Sequence, residues 1–380
     1  MRPGENWLMW NMTRVCNFRC GYCYFPHDPG PVKDPLPVRA VTDFLDSTGR
    51  AWVVSMTGGE PLLYPGFLDI CAALAENHRI GLDTNLSVDK VVRAFAERMD
   101  PARVYDVYAS LHIEERERLG LKERFAASAR LLLERGFNLK VNYVVHPTLV
   151  PRFEADRAWF AERGVPITPR PFKGRHEGRR FPQAYGPEVR ELFHEHEDAG
   201  RKMVFNFKGV PCDGGRNFLR LEPDGTVLRC AGDKTVLGNV RTGVRAHEAP
   251  LPCAVRACPC QGVNWVHMDE SQRAFVEGLQ FQAIGDAPRA GSAFRAVLEL
   301  DPRASNALNN LAVLAARDGD REEAARLLAM ARAIHPGHAL YRANAEALDE
   351  AEGADGTDGV NGAADLDICV DVIPGGEGQL

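Results

Sequence analysis

From Trp7 to about Phe172, short apolar runs alternate with longer amphipathic ones. The runs at 7–12, 51–56, 80–86, 103–111, 138–146 and 165–170 read as strands. The intervening stretches, about 36–48, 65–78, 88–98, 119–135 and 151–163, read as helices with one apolar face. This alternation predicts an α/β fold with a parallel sheet and helices outside it. Six units are too few for a closed eight-stranded barrel and suit a partial (βα)6 barrel, in which ligands sit at the C-terminal ends of the strands.

The pattern changes twice further on. Residues 203–262 carry alternating runs broken by Glu222-Pro223-Asp224-Gly225, a hairpin turn, and contain Cys212, Cys230, Cys253, Cys258 and Cys260. From about Met268 the chain is helical and repetitive. Pro302 and Pro336 stand 34 residues apart, as do Ala290 and Ala324, Phe294 and Leu328, and Gly278 and Ala312. That is the period of tetratricopeptide (TPR) repeats. Two such units with a capping helix at 338–350 are expected to pack on the barrel or self-associate, because repeats need neighbours to bury their faces. Their alanine stripe reads either as core or as a peptide groove. After Glu352 the chain is rich in Gly, Asp and Ala, which predicts a disordered acidic tail. It holds Ile368-Cys369-Val370, so it is either simply solvated or a mimic of a substrate peptide. The expected domains are 1–175, 176–265, 266–350 and 351–380.

Charge adds one correction. The net charge is −6, but seven acids and no Lys or Arg fall after residue 350, so the rest is close to neutral. The body therefore shows no bias towards nucleic acid. No apolar stretch reaches a membrane span and the N-terminus has no signal core, so a cytoplasmic protein is expected. Ten cysteines in such a chain argue for metal rather than disulfides.

Two motifs carry the chemistry. Cys16, Cys20 and Cys23 follow the first strand in the run Cys-Asn-Phe-Arg-Cys-Gly-Tyr-Cys. Three thiolates on a four-iron cluster leave one iron open for a small molecule; a structural zinc site usually wants a fourth ligand. Thr57-Gly58-Gly59-Glu60-Pro61 ends the second strand, where paired glycines let the backbone approach a ligand closely and Glu60 offers a carboxylate to a cation.

The Cys-x3-Cys-x2-Cys spacing, with Tyr22 before the last cysteine, resembles the signature of the radical S-adenosylmethionine (radical SAM) superfamily. Thr57–Pro61 resembles the Gly-Gly-Glu-Pro element that holds the amino group of SAM. The resemblance implies a partial barrel, a [4Fe–4S] cluster on Cys16, Cys20 and Cys23, and SAM on the open iron. It also implies reductive cleavage to a 5′-deoxyadenosyl radical that takes hydrogen from substrate. Contacts to SAM are then expected from Tyr22, Gly58, Gly59, Glu60, Asn85, Ser110 and Asn142, although Leu86 stands where the family often has glycine after Thr84-Asn85. His112 is a candidate proton donor or shuttle, with a structural histidine as the alternative. The segment Pro169–Pro182, with Arg170, Lys173, Arg175, Arg179 and Arg180, reads as a solvated loop or as a cationic overhang of the barrel mouth.

Residues 203–262 resemble the SPASM extension in its shortened twitch form, which implies one auxiliary [4Fe–4S] cluster on Cys212, Cys230 and two of Cys253, Cys258 and Cys260; a zinc site is the alternative. Relatives with this extension often modify peptides or protein side chains, sometimes sugars. The reading is thus a radical SAM oxidoreductase acting on a peptide or protein, supplied with electrons by a donor such as flavodoxin or ferredoxin. The alternatives are a dehydrogenase or epimerase of a small molecule or sugar, and a non-catalytic repeat and iron–sulfur interaction protein. With the first strand at Trp7, recognition of a peptide is expected from the repeats or from a separate protein.

Overall fold

The computed structural model describes residues 5–23, 25–182, 184–193, 206–256, 258, 267–283, 285–353 and 366–375. The chain forms two compact units: residues 1–200 with 214–248, and residues 201–213 with 249–380.

In the first unit, strands β1 (Asn6–Thr13), β2 (Trp52–Gly58), β3 (Arg79–Thr84), β4 (Val104–Ser110), β5 (Leu139–Val145) and β6 (Ile167–Pro171) lie side by side, all parallel. They match the six apolar runs. Trp52, Val53, Val54 and Met56 of β2 are all buried, as a parallel strand covered on both faces requires. Helices α1 (Val38–Ser47), α2 (Phe67–Asn77) and α3 (Asp89–Arg98) fall where the periodicity placed them. Helix α2 buries Phe67, Ile70, Cys71 and Leu74, the i, i+3, i+4, i+7 stripe, so Cys71 is a core residue.

A short helix that the periodicity did not place, α4 (Ile113–Arg118), precedes the one expected at 119–135, α5 (Lys122–Glu134), and α6 (Phe153–Ala161) precedes β6. Beyond β6 come a small hairpin, β7 (Gly174–His176) with β8 (Arg179–Phe181), and the short helix α7 (Pro187–Glu191).

The expected separate cysteine module is divided. β9 (Pro211–Cys212) belongs to the second unit. β10 (Phe218–Leu221), β11 (Thr226–Leu228), β12 (Val236–Asn239) and β13 (Gly243–Val244) belong to the first and extend its sheet to ten strands, with β10 parallel to β1. Leu219 and Leu221 are buried there, so the barrel's open β1 edge is covered by the chain itself. The Pro223-Asp224-Gly225 turn forms as expected, with Gly225 at φ +88° and the Asp224 carboxylate accepting from Thr226 N at 2.9 Å.

In the second unit β9 pairs antiparallel with β14 (Leu251–Pro252). Five helices follow: α8 (Glu270–Ala283), α9 (Ala287–Leu300), α10 (Ser305–Arg317), α11 (Arg321–Ile334) and α12 (Ala339–Gly353). The 34-residue period reappears as repeated capping: Asp286 accepts from Arg289 N at the start of α9 and Asp320 from Glu323 N at the start of α11, at 3.2 and 3.1 Å. Gly278 fits α8 against α9, since a Cβ there would stand 2.6 Å from the Phe294 ring.

Part of the tail departs from expectation, while residues 354–365 and 376–380 lie outside the described residues. Residues 366–375 lie in the second unit with Leu366, Cys369, Asp371 and Val372 buried, and Asn206 pairs with Asp371 in a short bridge. The reason is that the segment's backbone is hydrogen-bonded by side chains of α10 and α12, which composition does not reveal.

Candidate active site

The cysteine loop starts where β1 leaves the sheet. The ladder between β1 and β2 shifts register after Asn11 and then continues into the loop: Gly59 N donates to Thr13 O at 2.7 Å and Glu60 N to Val15 O at 2.8 Å. A Cβ at Gly58 would overlap the Thr13 carbonyl oxygen, and one at Gly59 the Val15 carbonyl oxygen. Gly58 also has φ +129°. The paired glycines thus serve close approach of two backbones, and this fixes the loop beside the end of β2.

Cys16, Cys20 and Cys23 line one cavity of about 750 Å³ at the C-terminal ends of the parallel strands. Gly58, Gly59, Asn85, Ser110, His112 and Tyr22 line it too. Inside the loop, Cys23 N donates to Cys20 O at 3.0 Å and Cys16 Sγ accepts from Phe18 N at 3.4 Å. Glu115 of α4 anchors it by accepting from Arg19 N at 3.0 Å and is itself held by two bonds from Arg118. Burial pushes the Cys16 thiol up and the Cys20 thiol to about 12, with nearby Cys23 adding to both.

Glu60 stands differently from expectation. It is buried, outside the cavity lining, and its carboxylate accepts from Thr84 Oγ1 at 2.6 Å, Asn85 N at 2.7 Å and Leu62 N at 3.0 Å. It ties the ends of β2 and β3 together. Burial raises its pKa and the three donors oppose that. What it positions is Asn85, whose Nδ2 donates to Asn17 Oδ1 at 3.1 Å and lies 3.9 Å from Cys16 Sγ.

Tyr22 and His112 form a pair, with the phenol 2.9 Å from His112 Nδ1. His112 sits at φ +48° at the start of α4, and burial lowers its pKa to about 4. It is therefore neutral at physiological pH and suited to a hydrogen bond rather than a charge. Beneath it Arg116 is buried with Nε on Leu111 O at 2.9 Å and its guanidinium over Phe18 and Phe125. Ser110 lines the cavity, whereas Asn142, its neighbour across the β4–β5 ladder, is not among the lining residues.

Sequence reasoning missed Asn11, Asp83 and Arg220, which line the cavity together with Thr57 of the glycine motif. Asn11 and Asp83 are polar residues inside apolar strand runs, the one signal available. Burial pushes Asp83 up to about 7, helped by Asp106. Arg220 Nε donates to Glu222 Oε1 at 2.6 Å, and Glu222 accepts from Asn11 Nδ2 at 3.2 Å. Of the basic segment, Arg170 and Lys173 reach the cavity, while Arg175, Arg179 and Arg180 of the β7–β8 hairpin are not among its lining.

The auxiliary cysteines fall in both units. Cys212, Cys253 and Cys258 belong to the second, where Gly209 N donates to Cys253 O and Cys253 N to Val210 O, both at 2.8 Å. Cys230 belongs to the first and accepts from Asp233 N at 3.0 Å. Cys260 lies outside the described residues.

Residues 10–155 match the family profile described as "Radical SAM superfamily". Among individual proteins, the chain is 32% identical over 148 residues to the 7-carboxy-7-deazaguanine synthase of Methanothermobacter thermautotrophicus, covering 35% of this chain and 59% of that protein. It thus spans about three fifths of that relative's length. It is 24% identical over 307 residues to the PqqA peptide cyclase of Granulibacter bethesdensis, covering 68% of this chain and 80% of that one. Among solved structures, native anSMEcpe with bound AdoMet superposes with a TM-score of 0.47 at 16% identity, over 63% of this chain and 78% of that chain. Among the described residues no helix is long and apolar enough to cross a membrane.

Proposed function

We propose that this chain is a radical SAM enzyme that modifies a peptide or protein side chain. One observation carries the reading: Cys16, Cys20, Cys23, Gly58, Gly59 and Asn85 converge on a single cavity at the strand ends. The donor set fits a [4Fe–4S] cluster. Burial and mutual repulsion raise the Cys16 and Cys20 thiols, and bound metal is what favours thiolates there. The three cysteines would hold the cluster, and SAM would lie along Gly58, Gly59, Asn85 and Ser110. Bound there, cluster and SAM would supply a carbon-centred radical that takes hydrogen from substrate.

The remaining roles belong to the chain's own residues. Asn85, fixed by Glu60, orients the loop at Cys16. The Tyr22–His112 pair lines the cavity wall as a neutral hydrogen-bonded unit. Asp83 holds a proton near neutral pH, and Arg170, Lys173 and Arg220 suit an anionic group of the substrate. Cys212, Cys230 and two of Cys253, Cys258 and Cys260 are the proposed donors of one auxiliary cluster, reduced like the first by a flavodoxin- or ferredoxin-type partner. A peptide substrate is supported by the likeness to PqqA peptide cyclase, most of whose length is covered.

Anaerobically reconstituted, reduced protein should convert SAM to 5′-deoxyadenosine. The Cys16→Ala, Cys20→Ala, Cys23→Ala triple variant should not. No deoxyadenosine from wild type under strong reductant would sink the enzymatic reading in favour of an electron-carrying interaction protein. Stimulation by sugars and not by peptides would move the substrate class.

A further inference from the structure

The 34-residue period of the helical stack carries a second pattern. Asn310 of α10 and Asn344 of α12 are 34 residues apart, the same position in successive repeats. Each makes the same pair of bonds to the backbone of the C-terminal segment. Asn344 Nδ2 donates to Asp367 O at 2.7 Å and its Oδ1 accepts from Asp367 N at 2.9 Å. Asn310 Nδ2 donates to Cys369 O at 2.9 Å and its Oδ1 accepts from Cys369 N at 2.7 Å. One step of the repeat therefore advances two residues along the segment, the period of an extended chain.

Neighbouring amides complete the row. Asn306 Nδ2 donates to Asp371 O at 2.8 Å, and Asn309, which accepts from Asn344 at 2.8 Å, donates to Asp367 O at 3.2 Å. All four asparagines are buried. A buried amide without partners is costly, so this row is built to be covered by a backbone. The position one repeat earlier is Val276, which ends the pattern.

We infer that Asn306, Asn309, Asn310 and Asn344 form a site for an extended peptide read through its backbone, and that residues 366–372 are its in-chain occupant, exchangeable for such a peptide in trans. The amides bond N–H and C=O groups, which any residue but proline offers, so the row selects conformation more than sequence. Side-chain preference comes from the positions the segment buries: Leu366, Cys369, Val372 and Asp371, whose carboxylate accepts from Asn206 Nδ2. The favoured occupant is thus an extended, proline-free stretch with small or aliphatic residues at the places of Leu366, Cys369 and Val372 and an acid at that of Asp371. The site stands on the second unit alone and is independent of the chemistry in the cavity of the first.

Cys369 gives the readout. It is fully buried while the segment is seated and should alkylate only when it leaves. Iodoacetamide labelling of the full-length reconstituted protein, resolved by peptide mass spectrometry, follows Cys369 against Cys71, which is buried in the first unit. Hydrogen exchange in α9, which makes none of these bonds, reports on the stack. The Asn310→Ala, Asn344→Ala double variant should raise the Cys369 rate at least about tenfold, with Cys71 and α9 unchanged.

A synthetic peptide of residues 364–375 carrying Cys369→Ser should raise the rate in wild type at about millimolar concentration, the scale of a tethered competitor. The same peptide N-methylated at residues 367 and 369 should not. If the unmethylated peptide leaves the rate unchanged, residues 366–372 are a fixed strap and the inference is wrong, whatever the variant does. If the methylated peptide works equally well, backbone reading is wrong.

Discussion

At Gly59 a methyl group in place of hydrogen would strike a carbonyl oxygen of the segment that leads into the cysteine loop. Backbone cannot step aside as a side chain can, and overpacking of this kind costs about 1–3 kcal/mol. Gly59→Ala should therefore lower the iron content to that of the triple cysteine variant; wild-type iron loading would show that the loop tolerates the shift. Glu60→Gln replaces an acceptor of three donors by an amide that must turn a donor towards one of them, at about 1–3 kcal/mol. Its thermal midpoint should fall even in cluster-free protein without SAM. An unchanged midpoint there would mean that Glu60 acts only as a charge on the cofactor.

Asp83 gives a pH signature. Its folded pKa, about 7, lies above the unfolded value, so the folded state keeps a proton that the unfolded state releases. Its favourable contribution is complete below the unfolded pKa of about 4 and is lost as pH rises through the folded value. Asp83→Asn should thus be more stable than wild type at pH 8, with the gap closing between pH 7 and 4. Chemical denaturation across that range checks it. None of these roles was legible from motifs. The sequence marks Gly59 and Glu60 as special, but what they touch depends on how β1, β2 and β3 end beside one another.

Elements were read best where burial is complete. Six parallel strands were visible because both faces are covered and the runs are continuously apolar. Helix α4 was missed because Ile113-Glu114-Glu115-Arg116-Glu117-Arg118 is short and mostly charged, and it begins at a left-handed His112 with no capping side chain. Arg116 is nevertheless buried, since Phe18 and Phe125 accept its guanidinium on their faces. The hairpin of β10 and β11 was visible, but its place at the β1 edge was not. In the helical stack, Gly278→Ala should destabilise the second unit by about 1–3 kcal/mol through contact with Phe294. Phe294→Leu should recover part of that loss in the double variant, so a double-mutant cycle by thermal unfolding should show coupling. Additive effects would mean that α8 and α9 do not meet at this pair.

Across the whole molecule the units cut through the expected boundaries. Residues 206–213 belong with the helical stack, where Asn206 pairs with Asp371 and Ile373 lies against Gly209. A chain ended at residue 353 would also lose Asp371 and Ile373, but one ended near Val266 would keep residues 206–213 and lose in addition all the helices of their unit, exposing apolar surface. It should aggregate, whereas a chain ended at residue 353 should stay soluble with the asparagine row open. Size-exclusion chromatography distinguishes the two, and a monomeric chain ended at 266 would contradict this division.

The sequence by itself determined the α/β alternation, the cysteine loop and glycine pair at adjacent strand ends, and the 34-residue period. Each of these is local or periodic, so spacing along the chain carries it. Only the tertiary structure decided what lies between distant segments. It turned Glu60 from the cavity onto Thr84 and Asn85, brought Asp83 and Arg220 into the cavity wall, and divided the cysteines after residue 200 between two units. It also laid Asp367 and Cys369 of the tail along Asn344 and Asn310. These are pairings across tens to hundreds of residues, set by which buried polar groups find partners, and no pattern along a single chain encodes that choice directly.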